Sequence, residues 1–373
     1  MERNINIRNY REEDTPAVVG LLSGFYDNVK TEEDWRRLYL DNPAGSAVIS
    51  LAEETSGKKL IGHYSVIKME MSVFGEKRFC GKGEGEIFDL PFLIGLLKRG
   101  VKIEPSSEKL IRHTMNAALA CGLEMVCTNP NDLALKSHIA AGYDSLRQEF
   151  SIFVLPLKSR YLSHVLTKKK NLAGTACFIS SLVAPLIHFL YSVKVLFFGR
   201  TGVCLDPIGS FDSRTDIFAE ALGKDKHVIA IDRSAGHLNW RFGKEEYKKY
   251  VIRDGGKDIG YAVLHVFINP NGFKEACLVD YLFLPEGWGK FKGTIVKITE
   301  EAKKYDSDLL RVNYMHDRKE TFGLAGVLKE LFFTKRSDKR NITVFLSSQL
   351  EDEKEKILDI KNWFFTDLYF EGY

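Results

Sequence analysis

Residues 57–67 read Gly57-Lys58-Lys59-Leu60-Ile61-Gly62-His63-Tyr64-Ser65-Val66-Ile67, and residues 254–264 read Asp254-Gly255-Gly256-Lys257-Asp258-Ile259-Gly260-Tyr261-Ala262-Val263-Leu264. Each is a lysine-bearing turn followed by a strand that opens on an Ile-Gly-aromatic step. Val48–Ala52 precedes the first turn and Tyr250–Ile252 the second, so both stretches read as β-hairpins.

Working outward, the same order recurs on both sides. Trp35-Arg36-Arg37 precedes the first hairpin and Trp240-Arg241-Phe242 the second. After the hairpins come Glu86-Ile87-Phe88-Asp89-Leu90-Pro91 and Leu278-Val279-Asp280-Tyr281-Leu282, each a strand holding an aspartate. Helical spacing follows in Glu108–Cys121 and in Thr294–Tyr305, and strands return at Met125–Cys127 and Leu309–Val312. A duplicated supersecondary plan is the simplest account. It predicts an α+β protein with two tandem domains, 1–157 and 207–373, each a twisted, mostly antiparallel mixed sheet flanked by helices. The segment 158–206 joins them as an apolar helical linker.

The chain has 373 residues, a length that suits two domains, with 45% hydrophobic and 28% charged residues. Its net charge of +3, from 53 basic and 50 acidic residues, gives no reason to expect a nucleic-acid partner. Six scattered cysteines read as buried thiols in a reducing compartment, and nothing in the histidine and cysteine spacing suggests a metal site. The polar opening, Met1-Glu2-Arg3-Asn4, does not read as a secretory signal, so a cytoplasmic location is expected. Leu172–Val193 carries no formal charge and follows Lys168-Lys169-Lys170. It is expected to form a helix interrupted near Pro185 and docked against the domains, with peripheral contact to a membrane as the second reading.

Asn129-Pro130-Asn131 running to Gly142-Tyr143 completes the first half. Asn131 is placed as a helix N-cap, Ala134, Leu135 and Ile139 on the core face, and Gly142 as a left-handed stop. Together with the repeat, this run resembles the Asn-to-Gly-aromatic signature of the GNAT superfamily of acyl-CoA N-acyltransferases, in its tandem-domain form. The resemblance implies acetyl-CoA as the donor substrate and a pyrophosphate-binding loop after the fourth strand. In the first half Lys98-Arg99-Gly100-Val101 resembles the start of that loop, although the segment is long and carries Glu104. In the second, Pro285-Glu286-Gly287-Trp288-Gly289-Lys290-Phe291 has the length but places Trp288 at the usual arginine. The donor site is therefore expected in the first half, at Arg99, Gly100, Val101 and Asn131.

The family's chemistry needs a base for the acceptor ammonium and an acid for the leaving thiolate. Glu86 and Asp89, on the strand before the loop, are the candidate bases. His138, at the position of the family's tyrosine, is the candidate acid. Three functions follow from the resemblance. The first is acyl transfer, acetyl foremost, to an amine on a small or sugar-like acceptor. The second is aminoacyl transfer to a cell-wall precursor. The third is a binding or scaffold role without catalysis.

Overall fold

The structure is a computed structural model that describes residues 5–25, 31–100, 107–146, 150–169, 202–314, 324–338 and 340–369. The segment 172–193 and Val101 lie outside the described residues.

The first sheet contains β1 (Ile5–Asn9), β2 (Val48–Glu54), β3 (Lys59–Val73), β4 (Glu76–Phe88), β5 (Met125–Thr128) and β6 (Asp144–Leu146). The second contains β7 (Phe150–Pro156), β8 (Val203–Ile208), β10 (Tyr247–Asp254), β11 (Lys257–Ile268), β12 (Lys274–Phe283), β13 (Leu309–Tyr314) and β14 (Thr334–Asp338). Two short strands, β9 (Ile229–Ile231) and β15 (Ile342–Leu346), come from the second half but pair in the first sheet. The spatial orders are β1-β2-β3-β4-β5-β15-β6 and β8-β10-β11-β12-β13-β7-β14, so the two sheets share one plan. In both, the first four strands run antiparallel and the fifth joins parallel to the fourth.

The sixth place in each sheet is filled by the other half of the chain. β15 sits between β5 and β6, and β7 sits between β13 and β14. The boundaries at 157 and 207 therefore divide the sequence but not the sheets, and β8 begins inside the stretch read as linker.

The glycine-rich turns explain the hairpins. Gly255 and Gly256 both have positive φ and link β10 to β11 in two residues, the geometry that matches strand twist. Phe74 and Gly75 do the same between β3 and β4.

Helices cover the sheets. α1 (Thr15–Ser23) and α2 (Glu32–Tyr39) bury Val18, Leu22, Trp35 and Leu38 against Leu51 and Ile67. A nine-residue helix α3 (Leu90–Lys98) precedes α4 (Ser107–Ala120), which lays Leu110, Ile111, Met115 and Ala118 on Tyr64, Val66 and Val126. Next come α5 (Asp132–Ala140), α6 (Ser159–Lys169), α7 (Ser213–Gly223) and α8 (Ala235–Arg241). α9 (Phe291–Lys304) packs Ile295, Ile298 and Ala302 on the second sheet, followed by α10 (Leu324–Glu330) and α11 (Lys354–Leu358).

The largest core belongs to both halves. Met69, Met71 and Val73 of β3 meet Ile229–Ile231, Tyr261, Val263 and the aromatic tail Trp363, Phe364 and Phe365. Trp35 is fully buried. Trp240, its counterpart in the repeat, is half-buried and donates its indole N–H to Arg37 O at 2.8 Å across the joint. Cys80, Cys127 and Cys277 are buried as expected, but Cys121 and Cys204 are exposed, because one ends α4 and the other lies on an edge strand.

Candidate active site

β4 and β5 pair from Cys80↔Met125 to Gly83↔Thr128 and then part. β4 runs on to Phe88 while the chain from Asn129 turns into α5. Asn131 caps that helix, its side-chain oxygen accepting from the Leu133 and Ala134 N–H groups at 3.0 and 2.9 Å, and Gly142 stops it at φ +104°. The gap between the parting strands is a polar cleft of about 130 Å³.

Its floor is written in a simple alternation. In Lys82-Gly83-Glu84-Gly85-Glu86 charged residues alternate with glycines; Lys82 and Glu84 share one face of β4, the bulge at Gly85 turns Glu86 to the other, and all five line the cleft. The glycines have a packing reason. A side chain at Gly83 would collide with the Tyr64 hydroxyl, 2.2 Å from where its Cβ would lie. Gly85, at φ +69°, forms a bulge in which Gly85 and Glu86 stand opposite the single residue Tyr64.

The electrostatics divide the carboxylates. Glu84 is paired with the buried Lys82 ammonium at 2.7 Å. Burial holds the Glu86 carboxyl above its usual range, and a hydrogen bond from Ser107 only partly offsets this. Its Oε2 is buried with no hydrogen-bond partner. The His138 Nδ1 lies 3.4 Å away, but it sits closer, at 3.1 Å, to Ala134 O, where its proton is directed. His138 Nε2 then accepts from the Tyr64 hydroxyl at 3.3 Å, and Tyr64 in turn meets the Tyr143 hydroxyl at 3.1 Å. Burial lowers the His138 pKa, so the ring stays neutral near neutral pH, with Nε2 accepting a hydrogen bond.

The structure thus brings Glu86, Asn131 and His138 into one cleft and leaves the other named residues apart. Asp89 caps α3, accepting from Phe92 N at 3.0 Å, and pairs with Lys59 at 2.7 Å. Arg99 and Gly100 end α3, exposed, with Gly100 at φ +73°. On α5, Ile139 is 45% exposed while His138 occupies the core-facing stripe expected for Ile139. The residues sequence reading did not single out are Tyr64, Lys82, Glu84, Thr128 and Tyr369. The Lys-Gly-Glu-Gly-Glu alternation signals two of these, Lys82 and Glu84. Tyr369 reaches the cleft only through the fold.

The equivalent gap in the second sheet is filled. β12 and β13 pair as far as Leu278↔Val312, and the residues just beyond hold the C-terminal tail. Asp280, fully buried, accepts from Tyr261 and Thr366 at 2.6 Å each and pairs with the buried Arg233 at 3.2 Å. Asn313 donates to Asp367, and Phe364 lies under the Arg233 guanidinium. The loop before α9 is a 3-10 turn, Pro285–Lys290, in which Trp288 packs on Phe283 and Phe364. A Cβ at Gly287 would lie 2.8 Å from Ile259 O, so backbone packing accounts for that glycine.

Among the described residues there is no cluster of three metal-ligating side chains, and no helix is long and apolar enough to cross a membrane.

No protein-family model and no curated protein sequence matches the chain. Solved structures do. A GCN5-related N-acetyltransferase from Anabaena variabilis aligns over 92% of this chain and 73% of its own, with 12% identity and a TM-score of 0.57. A probable N-acyltransferase from Enterococcus faecalis aligns over 92% and 72%, with 7% identity and a TM-score of 0.60. The N-myristoyltransferase of Saccharomyces cerevisiae, with bound myristoyl-CoA, aligns over 91% and 82%, with 11% identity and a TM-score of 0.53. The chain shares the fold of these acyltransferase structures, and its two sheets repeat one strand plan.

Proposed function

We propose that the first-sheet cleft transfers an acyl group from acyl-CoA to an amine, and that the second copy serves as scaffold. The observation that carries this reading is the contrast between the two gaps. One is an open polar cleft holding an unpartnered buried carboxylate oxygen, and the other is filled by the chain's own tail.

In the proposed step Glu86, ionised but desolvated, accepts a proton from the incoming ammonium. The freed amine attacks the thioester carbonyl, whose oxygen takes its hydrogen bond from backbone N–H at the Gly85–Glu86 bulge. The C–S bond breaks, the proton held by Glu86 passes to the departing thiolate, and the regenerated carboxylate takes the second proton from the acylated nitrogen and releases it to solvent, so the products are the amide, the CoA thiol and one proton. His138, neutral and fixed by Ala134 O and Tyr64, positions this wall of the cleft. A cleft of about 130 Å³ favours a short acyl group, acetyl first, and its carboxylates favour a cationic amine on a small or sugar-like acceptor. Arg99 and Gly100 are the proposed contacts for the CoA phosphates, beyond the end of α3.

Calorimetric titration with acetyl-CoA tests the reading. Binding by the native protein, weakened at least severalfold in Arg99→Glu and unchanged in Gly289→Asp, supports it. Absence of binding at millimolar ligand sinks it, and loss of binding in Gly289→Asp alone moves the donor site to the second copy.

A further inference from the structure

α3 is apolar on both sides. Leu93 packs inward on Ala52, Ile61 and the partly buried Phe88, and Leu96 is fully buried. Leu90, Ile94 and Leu97 fall at i, i+4 and i+7, one stripe, and are 58%, 50% and 55% exposed. Three of the large exposed hydrophobic side chains of the described residues thus share one nine-residue helix. A soluble protein scatters such residues singly, and a contiguous stripe marks a contact surface.

The charges around the stripe select the partner. At its N-terminal end Asp89 is neutralised by Lys59, whose ammonium also lies over the Phe92 ring at 4.0 Å, leaving Lys58 beside it in the β2–β3 turn. At its C-terminal end stand Lys98 and Arg99, both exposed. Among the described residues none of Lys58, Lys98 and Arg99 is ion-paired with a carboxylate. An apolar stripe framed at both ends by cations that pair with no carboxylate of the described residues matches the anionic headgroup layer of a bilayer, with acyl chains beneath it.

We propose that α3 is a membrane-surface contact, with Leu90, Ile94 and Leu97 entering the interface of an anionic bilayer and Lys58 and Lys98 contacting its headgroups. β4 leads directly from the cleft into α3. Leu90 lies four residues after Glu86, a span of roughly 13 Å at most for extended chain. A bilayer seated on α3 therefore puts the cleft within reach of an amine carried on a lipid headgroup. That last step rests on the acyl-transfer reading, whereas the membrane contact does not.

Sedimentation of the full chain with sucrose-loaded vesicles tests the contact without any assay of activity. The protein is expected to pellet with vesicles of equimolar phosphatidylcholine and phosphatidylglycerol, and much less with phosphatidylcholine alone. Ile94→Glu with Leu97→Glu should lower the bound fraction at least tenfold while the thermal transition is retained, because both side chains are exposed. Lys58→Gln with Lys98→Gln should weaken binding severalfold and blunt its salt dependence. The proposal is overturned if the native protein stays in the supernatant. It is also overturned if the Ile94/Leu97 variant binds unchanged, which would assign lipid contact to another segment such as 172–193. A third result against it is that the same variant turns a dimer into a monomer in sedimentation equilibrium with no lipid bound, which would make the stripe a self-interface.

Discussion

Glu86 is a carboxylate in an expensive place. Its Oε2 is buried without a protein hydrogen-bond donor, and burial favours the protonated form. A folded-state pKa above the ordinary value means the base form is lost as pH falls through that raised value. The acyl-transfer rate should therefore rise with pH along a limb displaced above the usual carboxylate range. Glu86→Gln should remove that limb and cost about 10²–10⁴-fold in kcat while leaving acetyl-CoA affinity intact in titration. His138→Asn keeps a donor toward Ala134 O but loses the acceptor for Tyr64. A severalfold loss of kcat with a displaced pH limb is expected, and an unchanged pH profile would show that the ring is packing alone. The placement of Asn131 and His138 together was legible because a strand-to-helix handover with a cap and a glycine stop has a fixed spacing, whereas Glu86 was named, with Asp89, from its place on the strand before the expected loop. The facing of α5 was not legible. The 3.6-residue pattern admits Ile139 or His138 inward, and only the Tyr64 and Tyr143 hydroxyls decide for the imidazole.

At the level of elements, the exchange of β7 and β15 makes each sheet depend on both halves. Val344 is fully buried between β5 and β6, so Val344→Ala should cost about 2 kcal/mol in urea unfolding. A fragment of residues 1–157 lacks that strand and leaves the edges of β5 and β6 unpaired. Expressed alone it should show no cooperative transition, and co-expression with 158–373 should restore one. The hairpins, the strand order and the helices over them were readable from repeat and period. The exchange was not, because the runs at 150–156 and 342–346 have equal propensity for either sheet. Pairing across the joint is settled by tertiary contacts that no local pattern encodes.

For the molecule as a whole, stability is tied to acid in a direction that can be worked out. Burial lowers the His63 pKa to about 4, against about 6.5 in an unfolded chain, and lowers that of His237 as well. A depressed histidine keeps the folded state neutral while the unfolded state binds a proton. Stability is therefore full above about pH 6.5 and declines toward pH 4, by up to ~1.4 kcal/mol per pH unit for each imidazole. His63→Asn, which can still donate to Gly85 O as Nδ1 does, should flatten that decline in denaturant melts. The filled second gap makes a different demand. Asp280→Ala strands the buried Arg233 charge and should cost about 3–5 kcal/mol, whereas Arg233→Met with Asp280→Leu should recover part of the loss. The sequence showed an aspartate in each copy of this strand. It did not show that one would face the tail and the other cap a helix, since that depends on residues 86 positions away.

The interlocked strands also set a timetable for synthesis. When the ribosome has completed β6, the neighbour on which that strand depends lies 200 residues downstream, counting from Leu146 to Leu346. At about 5–20 residues per second the nascent first half waits roughly 10–40 s with a polar slot open beside β5. During that interval Phe150–Pro156 has no β13 to join. A second nascent chain on the same message can offer the identical strand first, so neighbouring ribosomes are competitors, and the yield of monomer should fall as translation initiation is made more frequent.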